Sequence, residues 1–197
     1  KAVKYALIVS IIYYICSCFY VVFSAYLVIK NVNNKTTRLF VLLTSSMITW
    51  SLANSIANSA PTAEVNILWR GVSVFGWGIF FSALLHFILV LTKTESRLNK
   101  RCMLAVLYLP AVINVILFAP FGILGEKQYQ LVQTDFGWID KHPMNIGKFL
   151  QNVYPIIFVI PSIILIIRWW KTLEPRSLLK RQTTIFLITI LIPFLAG

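Results

Sequence analysis

Six long apolar runs, separated by short polar segments, leave this chain few ways to fold. They read as Tyr5 to Ile29, Leu39 to Ala60, Val65 to Thr92, Cys102 to Leu124, Phe149 to Trp170 and Thr183 to Gly197. A bilayer core takes about 20 helical residues to cross. Inside it every backbone N–H and C=O must be bonded within the protein, so only helices or a closed barrel span it. Uniformly apolar runs of this length predict helices. The expected fold is all-α: a polytopic transmembrane helical bundle of five full helices plus a truncated sixth. The last run is too short to cross at about 1.5 Å per residue. The chain also lacks an initial Met and stops at Gly197 inside an apolar run, which reads as a segment of something longer. The first run is too long for a signal peptide and has no small-residue cleavage site, so it reads as a retained helix.

Composition agrees. The 197 residues are 58% hydrophobic and 12% charged, with a mean hydropathy of +0.79, far from the roughly one-quarter charged residues of soluble domains. A cytosolic enzyme is excluded. A net charge of +12 raises the question of nucleic acid, but the basic residues lie between apolar runs and form no polar face, so no nucleic-acid partner is expected. Their positions read as topology. Lys30, Lys35, Arg38, Lys93, Arg97, Lys100, Arg101, Arg168, Lys171, Arg176, Lys180 and Arg181 fall on one side, with only Glu95 and Glu174 among the acids. Lys1, Lys4, Arg70, Lys127, Lys141 and Lys148 fall on the other, with Glu64, Glu126, Asp135 and Asp140. Because cytoplasmic loops are enriched in Lys and Arg, the first side is expected in the cytoplasm and the N-terminus outside. A seventh helix would then deliver the chain to the cytoplasm.

The outer loop, residues 125–148, is the longest. Tyr129 to Gln133 has strand-like composition, Thr134 to Gly137 suits a turn, and Trp138 to Asp140 suits a returning strand, which predicts a small outer β-hairpin and possible lid. Every acid is expected in a loop, so no span carries the carboxylate that a proton relay or coupled carrier uses. No catalytic motif and no metal-ligand spacing is readable, so no catalytic residue, metal or cofactor is expected. Cys16, Cys18 and Cys102 give no disulfide framework.

The polar groups within the spans suit binding. On the second helix Thr44, Ser51, Asn54, Ser55 and Asn58 form one stripe at spacings of three, four and seven. An amide unpaired in hydrocarbon costs several kcal/mol, so these residues either join helices or line a site. On the third helix Arg70, Ser73 and Trp77 share one face, with Trp69 at the same level, and Gly71, Gly78 and Ser82 share another that admits a close neighbour. Arg70 either snorkels to headgroups or faces a cavity and binds an anionic or carbonyl-bearing group. Asn114, Asn152 and Tyr154 fall at the same outer level. Asn54, Asn58, Trp69, Arg70, Ser73, Trp77, Asn114, Asn152 and Tyr154 are therefore the candidate ligand-binding set of an outward-opening pocket.

The remaining features have structural readings. His86 suits a hydrogen bond between helices, with proton sensing as a lesser use. His142 near Asp135 and Asp140 does not make a metal site. Pro110, Pro155, Pro161 and Pro193 bend helices or act as hinges. Trp169 and Trp170 suit an interfacial belt. Asn34-Lys35-Thr36 matches a glycosylation sequon but falls in a loop expected inside.

The stretch Trp50 to Ala57, Trp69, Gly76-Trp77-Gly78, Leu84 to Thr92, Tyr108-Leu109-Pro110, Lys180-Arg181-Gln182 and Ile192-Pro193 together resemble the N-terminal seven-transmembrane sensor region of bacterial histidine kinases. That family often has a Pro after the third-helix Gly, where Phe80 and Phe81 stand here. The resemblance implies a bacterial cell membrane, an outside N-terminus and seven helices ahead of a cytoplasmic PAS, kinase or cyclase output, absent from this segment. The expected function is the input region of a bacterial receptor, with the lipid bilayer, a small-molecule or lipid ligand and a second copy through the output domain as partners. A transporter or channel part, and a purely structural anchor or dimerisation unit, are the alternatives.

Overall fold

The computed structural model describes residues 3–31, 33–97, 99–124, 129–141 and 144–196. Six helices follow in order: α1 (Val3–Asn31), α2 (Lys35–Asn58), α3 (Ala63–Leu91), α4 (Lys100–Phe118), α5 (Ile146–Thr172) and α6 (Leu178–Ala196). The first five are long and apolar enough to cross a membrane. Between α4 and α5 lies the hairpin, β1 (Leu131–Thr134) paired antiparallel with β2 (Gly137–Asp140), with Thr134 opposite Gly137 and Leu131 opposite Asp140. The expected bundle and hairpin are both present.

Boundaries shift where local chemistry demands it. The fourth helix was expected to reach Leu124 but ends at Phe118, because Pro120 disfavours helical backbone at Ala119, which turns extended. Residues 119–124 fold back in turns instead, with Gly122 N–H bonded to the Ala119 carbonyl at 2.7 Å. Side chains accept from otherwise unpaired N–H groups at four helix starts: Asn34 on α2, Thr62 on α3, Asn99 on α4 and Asn145 on α5. The sequon asparagine is thus a helix cap. Glu64, expected in a loop, belongs to the first turn of α3, where a carboxylate complements the positive helix end.

The hub is α3. Of its most apolar window 56% is buried, against 17% for α1, and it packs on α2, α4 and α5. Small residues open each contact. A Cβ on Gly76 would lie 2.6 Å from the Ser46 carbonyl oxygen and the Trp50 nitrogen of α2. A Cβ on Gly71 would meet the Pro120 backbone at 2.9 Å, and Gly78 faces Asn114 and Val115 of α4. On the α5 side, Tyr154 donates its hydroxyl hydrogen to the Gly78 carbonyl at 2.6 Å, and its oxygen lies 2.9 Å from Ser82 Oγ. Towards the basic end Leu39, Leu43, Leu84, Phe87, Ile88, Val159 and Ile166 close a core between α2, α3 and α5.

Helix α1 binds α2 differently. Ser10, Ser17 and Ser24 recur every seven residues and are all buried, so one narrow polar seam runs along the contact. Ser24 hydrogen-bonds Thr44, Ser55 Oγ donates to the Ser10 carbonyl at 2.8 Å, and Asn58 Nδ2 donates to the Ala6 carbonyl at 3.0 Å. The second-helix stripe is therefore mostly glue. At the basic end Trp170 joins α5 to α6: its Nε1 donates to Thr184 at 2.9 Å, and Lys180 sits over its ring at 4.4 Å.

Gly76→Ala should lower the thermal unfolding midpoint in detergent, since overpacking costs about 1–3 kcal/mol. Gly78→Ala, whose nearest neighbour would lie at 3.5 Å, should stay within about 0.5 kcal/mol of the parent. Equal effects at the two positions would contradict the α2–α3 contact described.

Candidate functional site

A cavity of about 420 Å³ lies at the hairpin end of the bundle. Trp50 and Asn54 of α2 form one wall, and Arg70, Ser73, Trp77 and Phe81 line it along α3. Gln151, Asn152 and Pro155 of α5 form the facing wall, and Tyr129, Asp140 and Lys148 close it near the hairpin. A second concavity of about 300 Å³, between Phe75 and residues 115–122, is lined by apolar side chains and backbone. It offers no polar side chain to orient a ligand.

Arg70 organises the cavity from α3. Its Nε donates to Asn66 Oδ1 at 2.7 Å, one turn back on the same helix. Asn66 is fully buried, and its Nδ2 donates to the Ala57 carbonyl near the end of α2. The two bonds together set which way the amide points. Arg70 Nη2 donates to the Trp138 carbonyl on β2 at 2.9 Å, and its guanidinium carbon lies 5.6 Å from the Tyr129 ring centre. Among the described residues no carboxylate lies within ion-pair distance of it.

The hairpin is seated by further contacts. Trp138 Nε1 donates to the Ala60 carbonyl at 2.8 Å, and the Phe136 ring lies 5.4 Å from Tyr5 of α1. Gly137, at φ +108°, lies so close to Asn58 that a Cβ would clash with Asn58 Oδ1. Only glycine meets both the positive φ and that approach. Lys148 of α5 pairs with Asp140 Oδ2 at 2.8 Å, while Asp140 Oδ1 accepts from Gln130 N–H at 2.9 Å. The hairpin thereby bridges α1, α2, α3 and α5.

Of the residues expected to form a pocket, the structure brings together Asn54, Arg70, Ser73, Trp77 and Asn152. Asn58 does not line the cavity; its amide is spent on α1 and the hairpin turn. Tyr154 stands behind the wall, bonded to Gly78 and Ser82 and packed edge-on to Phe81 and Trp77. Asn114 is buried against Gly78, and Trp69 is not in the lining. Asn58, Tyr154, Asn114 and Trp69 lie at the expected depth but on other helix faces. Trp50, Phe81, Pro155, Tyr129, Asp140, Lys148 and Gln151 line the cavity and were not anticipated. Asn66 was also missed, although its place four residues before Arg70 was a legible cue.

At the opposite, basic end, His86 Nδ1 lies 2.9 Å from the Tyr108 hydroxyl, the expected bond between helices α3 and α4. Its Nε2 lies 4.0 Å from Glu95, which pairs with Lys35 at the start of α2. His142 lies outside the described residues.

Fold and site together define a polytopic helical membrane protein with a polar-and-aromatic cavity at one end, beneath a docked hairpin. The N-terminal 7TM region of histidine kinase matches residues 11–197, and the chain belongs to that family. No curated protein and no solved structure matches it.

Asn58→Ala should cost about 0.6 kcal/mol, the average for an interhelical hydrogen bond in a membrane bundle. Asn66→Leu should cost more, about 1–3 kcal/mol for each buried group left unpaired, because the Ala57 carbonyl and Arg70 Nε both lose their partner. Thermal unfolding followed by circular dichroism measures both.

Proposed function

We propose that this chain is the sensory input region of a bacterial receptor kinase. A small ligand enters the cavity from outside and the bundle relays its presence to a cytoplasmic output that works as a dimer. The observation that carries this reading is the cavity itself. It is framed by α2, α3, α5 and the hairpin, so its occupant touches the hub helix and two of the helices packed on it. A structural anchor has no use for such a cavity. A coupled transporter is disfavoured because, among the described residues, the acids lie in loops, the hairpin, a 3₁₀ turn or the first turn of α3.

The hairpin end is outside in this reading, since the Lys- and Arg-rich loops gather at the other end. A ligand shifts a receptor only by binding its two states with different affinity. Arg70 is suited to that role because the hairpin carbonyl of Trp138 and the cavity share its guanidinium. Ligand contact would then change how the hairpin is held. From there α3 leads to the cluster of His86, Tyr108, Glu95 and Lys35, where α2, α3 and α4 meet at the cytoplasmic side.

Two measurements on the full-length protein test this. In a background otherwise free of cysteine, Phe136→Cys should react with a membrane-impermeant maleimide on intact cells, whereas Cys102 should react only after permeabilisation. The reverse pattern would invert the topology. In proteoliposomes, a compound that raises the unfolding midpoint should also change autophosphorylation, and Trp77→Ala should abolish both responses. Autophosphorylation that responds unchanged in Trp77→Ala and Asn54→Leu would remove the cavity from the mechanism.

A further inference from the structure

We propose that the cavity selects an oxyanion, a carboxylate or phosphate, carried on an apolar body, and that Arg70 is the group that holds it. This rests on the reading of the cavity as the ligand site. Among the described residues, three charged side chains line it: Arg70, Lys148 and Asp140. Lys148 and Asp140 are paired with each other at 2.8 Å. The net positive charge therefore belongs to Arg70.

Among the described residues, the two hydrogen bonds that Arg70 makes go to neutral carbonyl oxygens, on Asn66 and Trp138. They hold the guanidinium in place without balancing its charge. Had the site needed only a strut between α3 and β2, a neutral amide would serve without the cost of partly desolvating a charge. A guanidinium has five N–H donors in a planar fork, and two are used here. The other three match the two oxygens of a carboxylate or phosphate, which a guanidinium binds in a bidentate manner. Arg70 also lies about 10 Å along α3 from its first residue, at 1.5 Å per residue, and it is half-buried, so an ion pair there is stronger than in bulk water.

The remaining lining describes the ligand's body. Trp50, Trp77 and Phe81 offer aromatic surface, and Asn54 supplies a short polar contact beside them. Asn54 Nδ2 donates one hydrogen to the Trp50 carbonyl at 2.9 Å, which leaves a second N–H donor and the carbonyl acceptor of the side chain for a ligand. A volume of about 420 Å³ suits a small molecule with one or two rings. Two sources carry this chemistry: a water-soluble aromatic acid from outside, or an anionic lipid of the outer leaflet.

The test uses the full-length protein in phosphatidylcholine nanodiscs, with the unfolding midpoint as readout. Benzoate, phenylacetate, indole-3-acetate and phenyl phosphate are each titrated against the matching neutral amide or alcohol. Phosphatidic acid is compared with diacylglycerol in a parallel arm. At least one anion should bind about tenfold or more tightly than its neutral partner. Preference in the first arm assigns a soluble ligand, and preference confined to the second assigns a lipid. Arg70→Gln should collapse the anion-to-neutral ratio to about one, while Arg70→Lys should weaken the anion yet keep the ratio above one. A purely structural Arg70 predicts that both variants weaken anions and neutral compounds alike, with the ratio unchanged, and that result overturns the proposal. Neutral partners binding as well as anions would overturn the oxyanion class and leave the cavity reading standing. Binding of no compound and no lipid would overturn both.

Discussion

Close approach along α3 is the constraint on which the rest of this bundle depends. In lipid, helices gain little from hiding apolar side chains from one another, so contact area and interhelical hydrogen bonds must hold them. Gly76 admits the backbone of α2, Gly71 admits the turn after α4, and the Gly78 carbonyl with the Ser82 hydroxyl binds the Tyr154 hydroxyl of α5. Three neighbours are thereby fixed around one helix. The serine seam between α1 and α2 adds α1, the fifth helix of the assembly, through hydrogen bonds at both of its ends.

The cavity is a consequence of that packing. Where the bundle reaches the hairpin end, α2 and α5 stand apart on either side of α3, and the hairpin closes over the gap. A continuous polar path crosses it, from the Ala57 carbonyl through Asn66 and Arg70 to the Trp138 carbonyl. Each member is set by the one before, which places a cation with spare donors against aromatic walls. The position of Arg70 thus follows from a buried amide that bonds a helix end, and from a strand that belongs to a loop.

Much of the architecture was legible in the residues. The spans, the hairpin with its turn near Asp135 and Phe136, and the small-residue face of α3 all follow from local patterns. The candidate site was legible in half. Asn54, Arg70, Ser73, Trp77 and Asn152 come together as their depth suggested, yet Asn58, Asn114 and Tyr154 share that depth and turn to other partners. Depth along a helix follows from residue number, whereas the facing partner depends on how each helix is rotated against its neighbours. Lys148 and Asp140 show the same limit, since a loop residue and a helix residue become one ion pair only when the hairpin is seated.

The division has a physical cause. Membrane spans are dictated by the chain alone because a helix satisfies its own backbone hydrogen bonds within the segment, and an apolar surface needs no particular partner in lipid. The basic loops separate by side for a similar reason, as each charge answers to the membrane and not to another residue. A side-chain hydrogen bond has to find one acceptor among many. Whether Asn58 joins helices or lines a cavity, and whether Arg70 is balanced or left open, is therefore settled by packing between segments far apart in the chain.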